Sequence, residues 1–196
     1  MPALDPTAAD LLFREAHTAD RFAPDPVSDE QMEEIWDLIR WAPTSGNSSP
    51  GRFLLVRSPQ ARERLVAHMS EGNREKTLAA PLTVVAAADL RFHDLWPRTA
   101  PHRAQAAARL EDDLPARERL AILSATLQTA YFIIGIRAAA LAAGPMGGFD
   151  RDGVDREFFP DGNWRSLVVI NVGHPVPDGF RNRLPRLSFA DVARTV

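Results

Sequence analysis

The chain has 196 residues, a net charge of −3 and no cysteine. That excludes disulfides, thiolate metal sites and a cysteine nucleophile, and it argues against a nucleic-acid binder that works by bulk charge. Hydrophobic residues make up 45% and charged residues 25%, which is the composition of one globular domain, here residues 1–196, with a sizeable core. Without thiols, any redox chemistry must come from a bound cofactor. The N-terminus carries Asp5 and Asp10 rather than a basic start followed by an apolar run. The expectation is therefore a cytoplasmic protein with neither a membrane nor a nucleic acid as partner.

In chain order, Pro6 to His17 reads as a short helix with Leu11, Leu12 and Phe13 facing inward. A loop of polar donors, His17 to Phe22, follows. Ser28-Asp29-Glu30-Gln31 is a capping box. It opens a helix whose Met32, Ile35, Trp36 and Ile39 fall on one face. Pro43 to Pro50 holds four hydroxyls, one amide and two prolines; a surface turn has this composition, and so does a loop that binds a polar ligand. Arg52 to Arg57 reads as a strand, and Ser58-Pro59 opens a helix running to Met69. Asn73 and Lys76, three apart, share a face of any helical turn. Lys76 is the single lysine among 23 basic residues. Pro81 to Ala88 reads as a buried strand.

Residues 90–113 read as an irregular aromatic and basic connection, a lid or a plain insertion. Phe92 and Trp96 are its aromatic residues, and Arg98, His102 and Arg103 are its candidate cations for an acidic substrate. A long apolar helix then starts at Asp112-Asp113-Pro115 and ends at Gly144-Pro145. It spans roughly 28 residues, or about 40 Å. Ser124, Thr126, Gln128, Thr129 and Arg137 interrupt the run. The helix is apolar on nearly every face and is expected to be buried on nearly every face, a core helix in a monomer or against a second subunit rather than a membrane span. Gly147 and Gly148 permit close approach of a flat ligand to main-chain N–H groups, or make a simple turn. A helix from Asp150 to Phe159 and a strand from Asn163 to Gly173 follow. Alternation places Arg181 and Arg183 on one side of extended backbone. There they suit a phosphate, or form a solvated basic tail. Ser188 and Asp191 cap a short terminal helix.

These pieces resemble the FMN-dependent nitroreductase family over almost the whole chain, and most closely its malonic semialdehyde reductases, the HadB/RutE subfamily. The likeness rests on PTSGNSSPGRF at Pro43 to Phe53, on Asn73 and Lys76, on GPMGGFD at Gly144 to Asp150, on Arg181 and Arg183, and on the ending RLPRLSF. The resemblance implies an α+β nitroreductase-like fold, a mixed or antiparallel central sheet wrapped by helices, and an intertwined homodimer sharing two FMN sites. It implies that His17 and Thr18 approach the phosphate and ribityl end. By the same resemblance Thr44, Ser45 and Asn47 would reach the flavin from the partner chain. Asn73 and Lys76 would face the pyrimidine edge, and the Gly148 N–H would meet N5. Pro145 and Met146 would pack on the ring beside Gly147, while Arg181 and Arg183 would neutralise the phosphate. The chain departs from the pattern at Asp20, where relatives carry a basic residue, and at Gly147, where many carry Glu.

The implied reaction is ping-pong hydride transfer from NADPH or NADH through flavin N5 to a small-molecule acceptor, with no catalytic side chain required. The expected substrate is malonic semialdehyde, reduced to 3-hydroxypropanoate. A broad nitroaromatic or quinone reductase is the alternative within the enzyme class, and a flavin-binding protein without turnover is the alternative outside it.

Overall fold

Leu82 to Asp89 forms a strand in which every residue is buried, and the rest of the chain is layered around it. The computed structural model describes residues 3–180 and 182–196. Four strands, β1 (Gly51–Val56), β2 (Leu82–Asp89), β3 (Ala142–Met146) and β4 (Trp164–Gly173), form one sheet in the order β1-β2-β4-β3. Every pairing is antiparallel, which resolves the mixed-or-antiparallel expectation. The first helices are α1 (Pro6–Ala9), α2 (Asp29–Ile39), α3 (Pro59–Ala67) and α4 (Glu71–Ala79). Then come α5 (Trp96–Thr99), α6 (Ala104–Asp112), α7 (Leu114–Ala138), α8 (Arg151–Phe158) and α9 (Phe189–Val192).

Alternation along β2 sorts the core into two layers. Val84 and Ala86 face α2 and α7 with Ile35, Ile39, Phe132 and Ile136. Val85 and Ala87 face α3 and α8 with Leu65, Val154 and Phe159. Phe132 of α7 stacks on Phe53 of β1 at 4.3 Å between ring centroids. The capping box at the start of α2 is formed in both directions, Gln31 N to Ser28 Oγ at 3.2 Å and Ser28 N to Gln31 Oε1 at 3.0 Å. Asp113 caps α7 by accepting from Ala116 N.

Three expectations are corrected. The long helix ends at Ala138, not at Gly144. Ala140 takes a left-handed conformation with φ of 57°, which reverses the chain, and Ala142 to Met146 then pair with β4 as a strand. Nor is α7 buried on every face. By length and composition it would suit a membrane, but Ala121, Ala125, Phe132 and Ile136 pack into the core while Leu123, Leu127 and Tyr131 form an exposed stripe. Leu11 and Phe13 do not face inward. Pro6–Ala9 continues as a wider turn, Asp10–Arg14, that lies outside the sandwich and has no buried residue.

The connection after β2 is not irregular. It is a chain of short turns, Phe92–Leu95, α5 and Pro101–Arg103, leading into α6. Phe92 and Trp96 are fully buried with Ala121, Ala125 and Leu167, so they are not presented to a ligand. Glu111 ties α6 back to the first turn, with His93 Nε2 and Arg91 Nη1 each 2.7 Å from its carboxylate. The bond to His93, and then that to Arg91, hold the Glu111 carboxyl down at about 2 from an ordinary 4.5. A depressed carboxyl stabilises the fold above its unfolded pKa, and that stability is lost as pH falls through the folded one. Glu111→Gln is therefore expected to lower the melting temperature at pH 6–7. The difference from wild type should shrink between pH 4.5 and 2. A gap independent of pH would show that the carboxylate charge is not what holds the turn.

Candidate functional site

Four distant stretches of sequence meet at a pocket of about 520 Å³. His17, Thr18 and Asp20 enter from the N-terminal segment, Lys76 from α4, Arg137 from the last turn of α7, and Asn182, Arg183 and Arg186 from the C-terminal arm. The N-terminal segment is fixed at the edge of the sheet. Ala19 N donates to Ala143 O at 3.0 Å, and Ala19 bridges to Phe180 on its other side. Arg183 Nη2 reaches back to Arg14 O at 2.5 Å and Ala16 O at 3.1 Å, which holds the arm over the pocket. Arg181 lies outside the described residues.

Lys76 is positioned from below. The buried Asn171 of β4 donates to Lys76 O at 3.1 Å and accepts from Thr83 Oγ1 at 2.9 Å. The Lys76 ammonium lies 3.3 Å from an Asp20 oxygen, with each side chain about four-fifths buried at 21% exposure.

Among the described residues, four cations and one carboxylate therefore line the pocket, and one cation is poorly served. Arg137 Nε is buried without a hydrogen-bond partner among the described residues. Burial, and then the neighbouring Arg183 charge, push its pKa down. A guanidinium remains charged regardless. The donor set thus fits a compact polyanion such as a phosphate ester, which supplies what the protein leaves out. Arg137 was missed as a site residue in the sequence reading. The signal was present: it is the single charge in the apolar run from Leu120 to Gly144.

The opposite end of the site lies one helical turn along α4, about 4.5 Å of rise from Lys76. Asn73 Nδ2 donates to Gly148 O at 2.9 Å, and Ser70 N donates to the same oxygen at 3.0 Å. A β-carbon on Gly148 would lie 2.7 Å from Asn73 Nδ2, so this close approach requires glycine. The Gly148 N–H donates to no group among the described residues, and Gly148 is partly exposed. Gly147 is exposed with nothing near its Cα hydrogens, and Pro145 is half-buried. Met146 is buried among Leu65, Met69 and Val85, with Thr77 Oγ1 at 4.0 Å from its sulfur.

The remaining candidates lie elsewhere. Thr44, Ser45 and Asn47 form a tight turn with φ of 62° at Gly46 and 53° at Asn47. Ser45 N donates to Ser124 Oγ at 3.2 Å, and Asn47 Nδ2 to Thr99 O at 2.6 Å. None of the three lines the cationic pocket. Arg103 lies against this turn, its guanidinium 2.7 Å from where a Gly46 β-carbon would be and 5.8 Å from the Trp96 ring. Arg98 and His102 are exposed nearby. One chain thus carries two separate polar clusters, one centred on Lys76 and one on the Thr44–Asn47 turn.

Residues 14–174 match the family model described as "Nitroreductase family". A Streptomyces coelicolor protein named "Putative NADH dehydrogenase/NAD(P)H nitroreductase" is 53% identical over 98% of each chain. In three dimensions the chain is similar to a Staphylococcus epidermidis protein titled "putative NAD(P)H:FMN oxidoreductase". That comparison gives a TM-score of 0.82 at 16% identity, covering 100% of this chain and 98% of that one. It is also similar to an Exiguobacterium sibiricum "putative nitroreductase in complex with FMN", with a TM-score of 0.79 at 17% identity over 100% and 99%. The sheet order, the length of the match and the level of identity agree: this chain belongs to the nitroreductase family.

Proposed function

We propose that the chain is an FMN-dependent NAD(P)H oxidoreductase that works as a homodimer. The observation that carries the reading is the pocket of Lys76, Arg137, Arg183 and Arg186, joined by one face of α4 to the N–H of Gly148. That layout suits a ligand with a phosphate at one end and a flat, hydrogen-bonding ring at the other. Bound there, FMN would supply hydride transfer from NADPH or NADH to an electron-poor acceptor. His17, Thr18, Arg137 and Arg183 would hold its phosphate end. Asn73 and Lys76 would orient the ring, and the fixed Lys76 charge would favour the electron-rich form at no cost of reorganisation. The Gly148 N–H would meet the ring at its reactive edge.

A second copy of the chain completes the site in this reading. Leu123, Leu127 and Tyr131 on α7 and Trp41 after α2 are exposed, as are Leu184, Leu187, Phe189 and Val192 of the C-terminal arm. So much apolar surface calls for a partner. A second protomer would bring its Thr44–Asn47 turn and Arg103 to the flavin. Arg103, steadied by Trp96, would then offer a cation to a carboxylate-bearing aldehyde, which supports malonic semialdehyde as the substrate. The relatives named nitroreductases favour a nitroaromatic or quinone acceptor as the second reading. Burial of Phe92 and Trp96 removes them as stacking surfaces for it.

The purified protein is expected to be a yellow dimer that NADPH or NADH bleaches without oxygen. Its kcat/KM should be higher for malonic semialdehyde than for a nitroarene, and Arg103→Ala should raise KM for the aldehyde alone by about tenfold, the loss of one charged hydrogen bond. A colourless protein that takes up no FMN would sink the flavin reading. Yellow protein that no reductant bleaches would leave a binding protein without turnover. An unchanged KM in Arg103→Ala would remove the semialdehyde assignment.

A further inference from the structure

The Asp20–Lys76 pair is the wall between two cavities. The cationic pocket lies on one side, and a second cavity of about 470 Å³, lined by Arg21, Phe22, Gly72 and Glu75, lies on the other. The main chain is held at both residues, and the two side chains meet at 3.3 Å. Asp20 N donates to Gly179 O at 2.9 Å, and Lys76 is anchored through Asn171. At 3.3 Å and 21% exposure, the pair is only partly screened by solvent. An acid here works against the evident purpose of the pocket, since it offsets part of the positive charge that the described residues gather for an anion.

We propose that Asp20 is a charge-balancing residue that lowers the reduction potential of the bound flavin by acting through Lys76. The inference rests on the FMN reading above. Reduction places negative charge on the ring, and Lys76 stabilises that charge. A carboxylate 3.3 Å from the ammonium offsets part of its field and makes the reduced flavin a stronger hydride donor. Asp20 is thus a positioning residue that sets driving force without touching the substrate.

The test is the midpoint potential of FMN bound to wild type, Asp20→Asn, Asp20→Glu, Lys76→Met and the Asp20→Asn/Lys76→Met double variant, each equilibrated against a reference dye. Asp20→Asn is expected to raise the ratio of reduced to oxidised flavin at a fixed potential by about tenfold, which is about 30 mV for two electrons. Asp20→Glu should restore the wild-type value, and the shift should vanish when Lys76 is already Met. Asp20→Asn protein that holds FMN at an unchanged potential would overturn the proposal. So would a shift of the same size in the Lys76→Met background, because the carboxylate would then not act through the lysine. Wild-type protein that binds no FMN would overturn the flavin reading itself, a distinct result.

Discussion

Arg137→Met is expected to weaken FMN binding by about ten- to hundredfold, the range for losing a hydrogen bond to a charged group. The same change should leave the flavin-free protein as stable as before, or more so. The opposite directions follow from where the side chain sits. It sits in the last turn of α7 and lines the cationic pocket, and its Nε is buried with no partner among the described residues. Burial and the Arg183 charge both act against its guanidinium while no anion is present. Methionine has a similar reach, fills the same channel and carries no charge to desolvate. Without ligand, the exchange removes an uncompensated cation, a change that is commonly neutral or favourable. With a phosphate in the pocket, the exchange removes one of its charged donors. Titration of the flavin-free protein with FMN, beside thermal melts of the same preparation, reads both signs. A variant whose affinity and flavin-free melting temperature fall together would show that Arg137 is structural. A variant with unchanged affinity would remove it from the site.

The same residue shows what could be read from the sequence and what could not. Local signals were legible where chemistry between near neighbours decides the outcome. Ser28 and Gln31 cap α2 as their spacing demands, and the apolar run from Leu82 becomes a strand covered on both faces. Asn73 and Lys76 do share one face of a helix, and Lys76 does meet His17, Thr18 and Arg183. The end of α7 was not legible, because LAAGPM is apolar and small as either helix or strand. Ala140 and the pairing of Gly144 with Asn171 decide it, and that pairing is a long-range event. Burial of Phe92 and Trp96 likewise depends on Ala121 and Ala125 of α7, small residues that leave room for the rings. Arg137 was visible as an interruption in an apolar helix. Its meaning appeared only when the fold brought Arg183 beside it.

Gly144→Ala should be the most damaging single methyl in the chain. A β-carbon at this position would lie 2.4 Å from the Ala19 carbonyl oxygen, a backbone atom, and 3.6 Å from Asn171 Cβ. The carbonyl cannot turn aside, while the Asn171 contact is ordinary van der Waals packing. Ala19 is hydrogen-bonded to Ala143 one residue away, and Gly144 is in register with Asn171 inside the sheet. The N-terminal segment must therefore lift from the sheet edge, carrying His17, Thr18 and Asp20 out of the pocket and Asp20 away from Lys76. Overpacking of this kind costs about 1–3 kcal/mol or more, which in a chain of this size lowers the melting temperature by about 2–4 °C per kcal/mol. FMN retention should fall with it, by more than about tenfold, because half the phosphate-binding donors move. The control is Gly72→Ala in the first turn of α4, where a β-carbon meets nothing within 4 Å. There the methyl should stabilise by about 0.4–1 kcal/mol through the unfolded chain. Gly144→Ala protein that melts like wild type and stays yellow would show that the segment bearing His17 and Asp20 is not held against β3. The joint between the N-terminal segment and the sheet would then not be what forms the pocket.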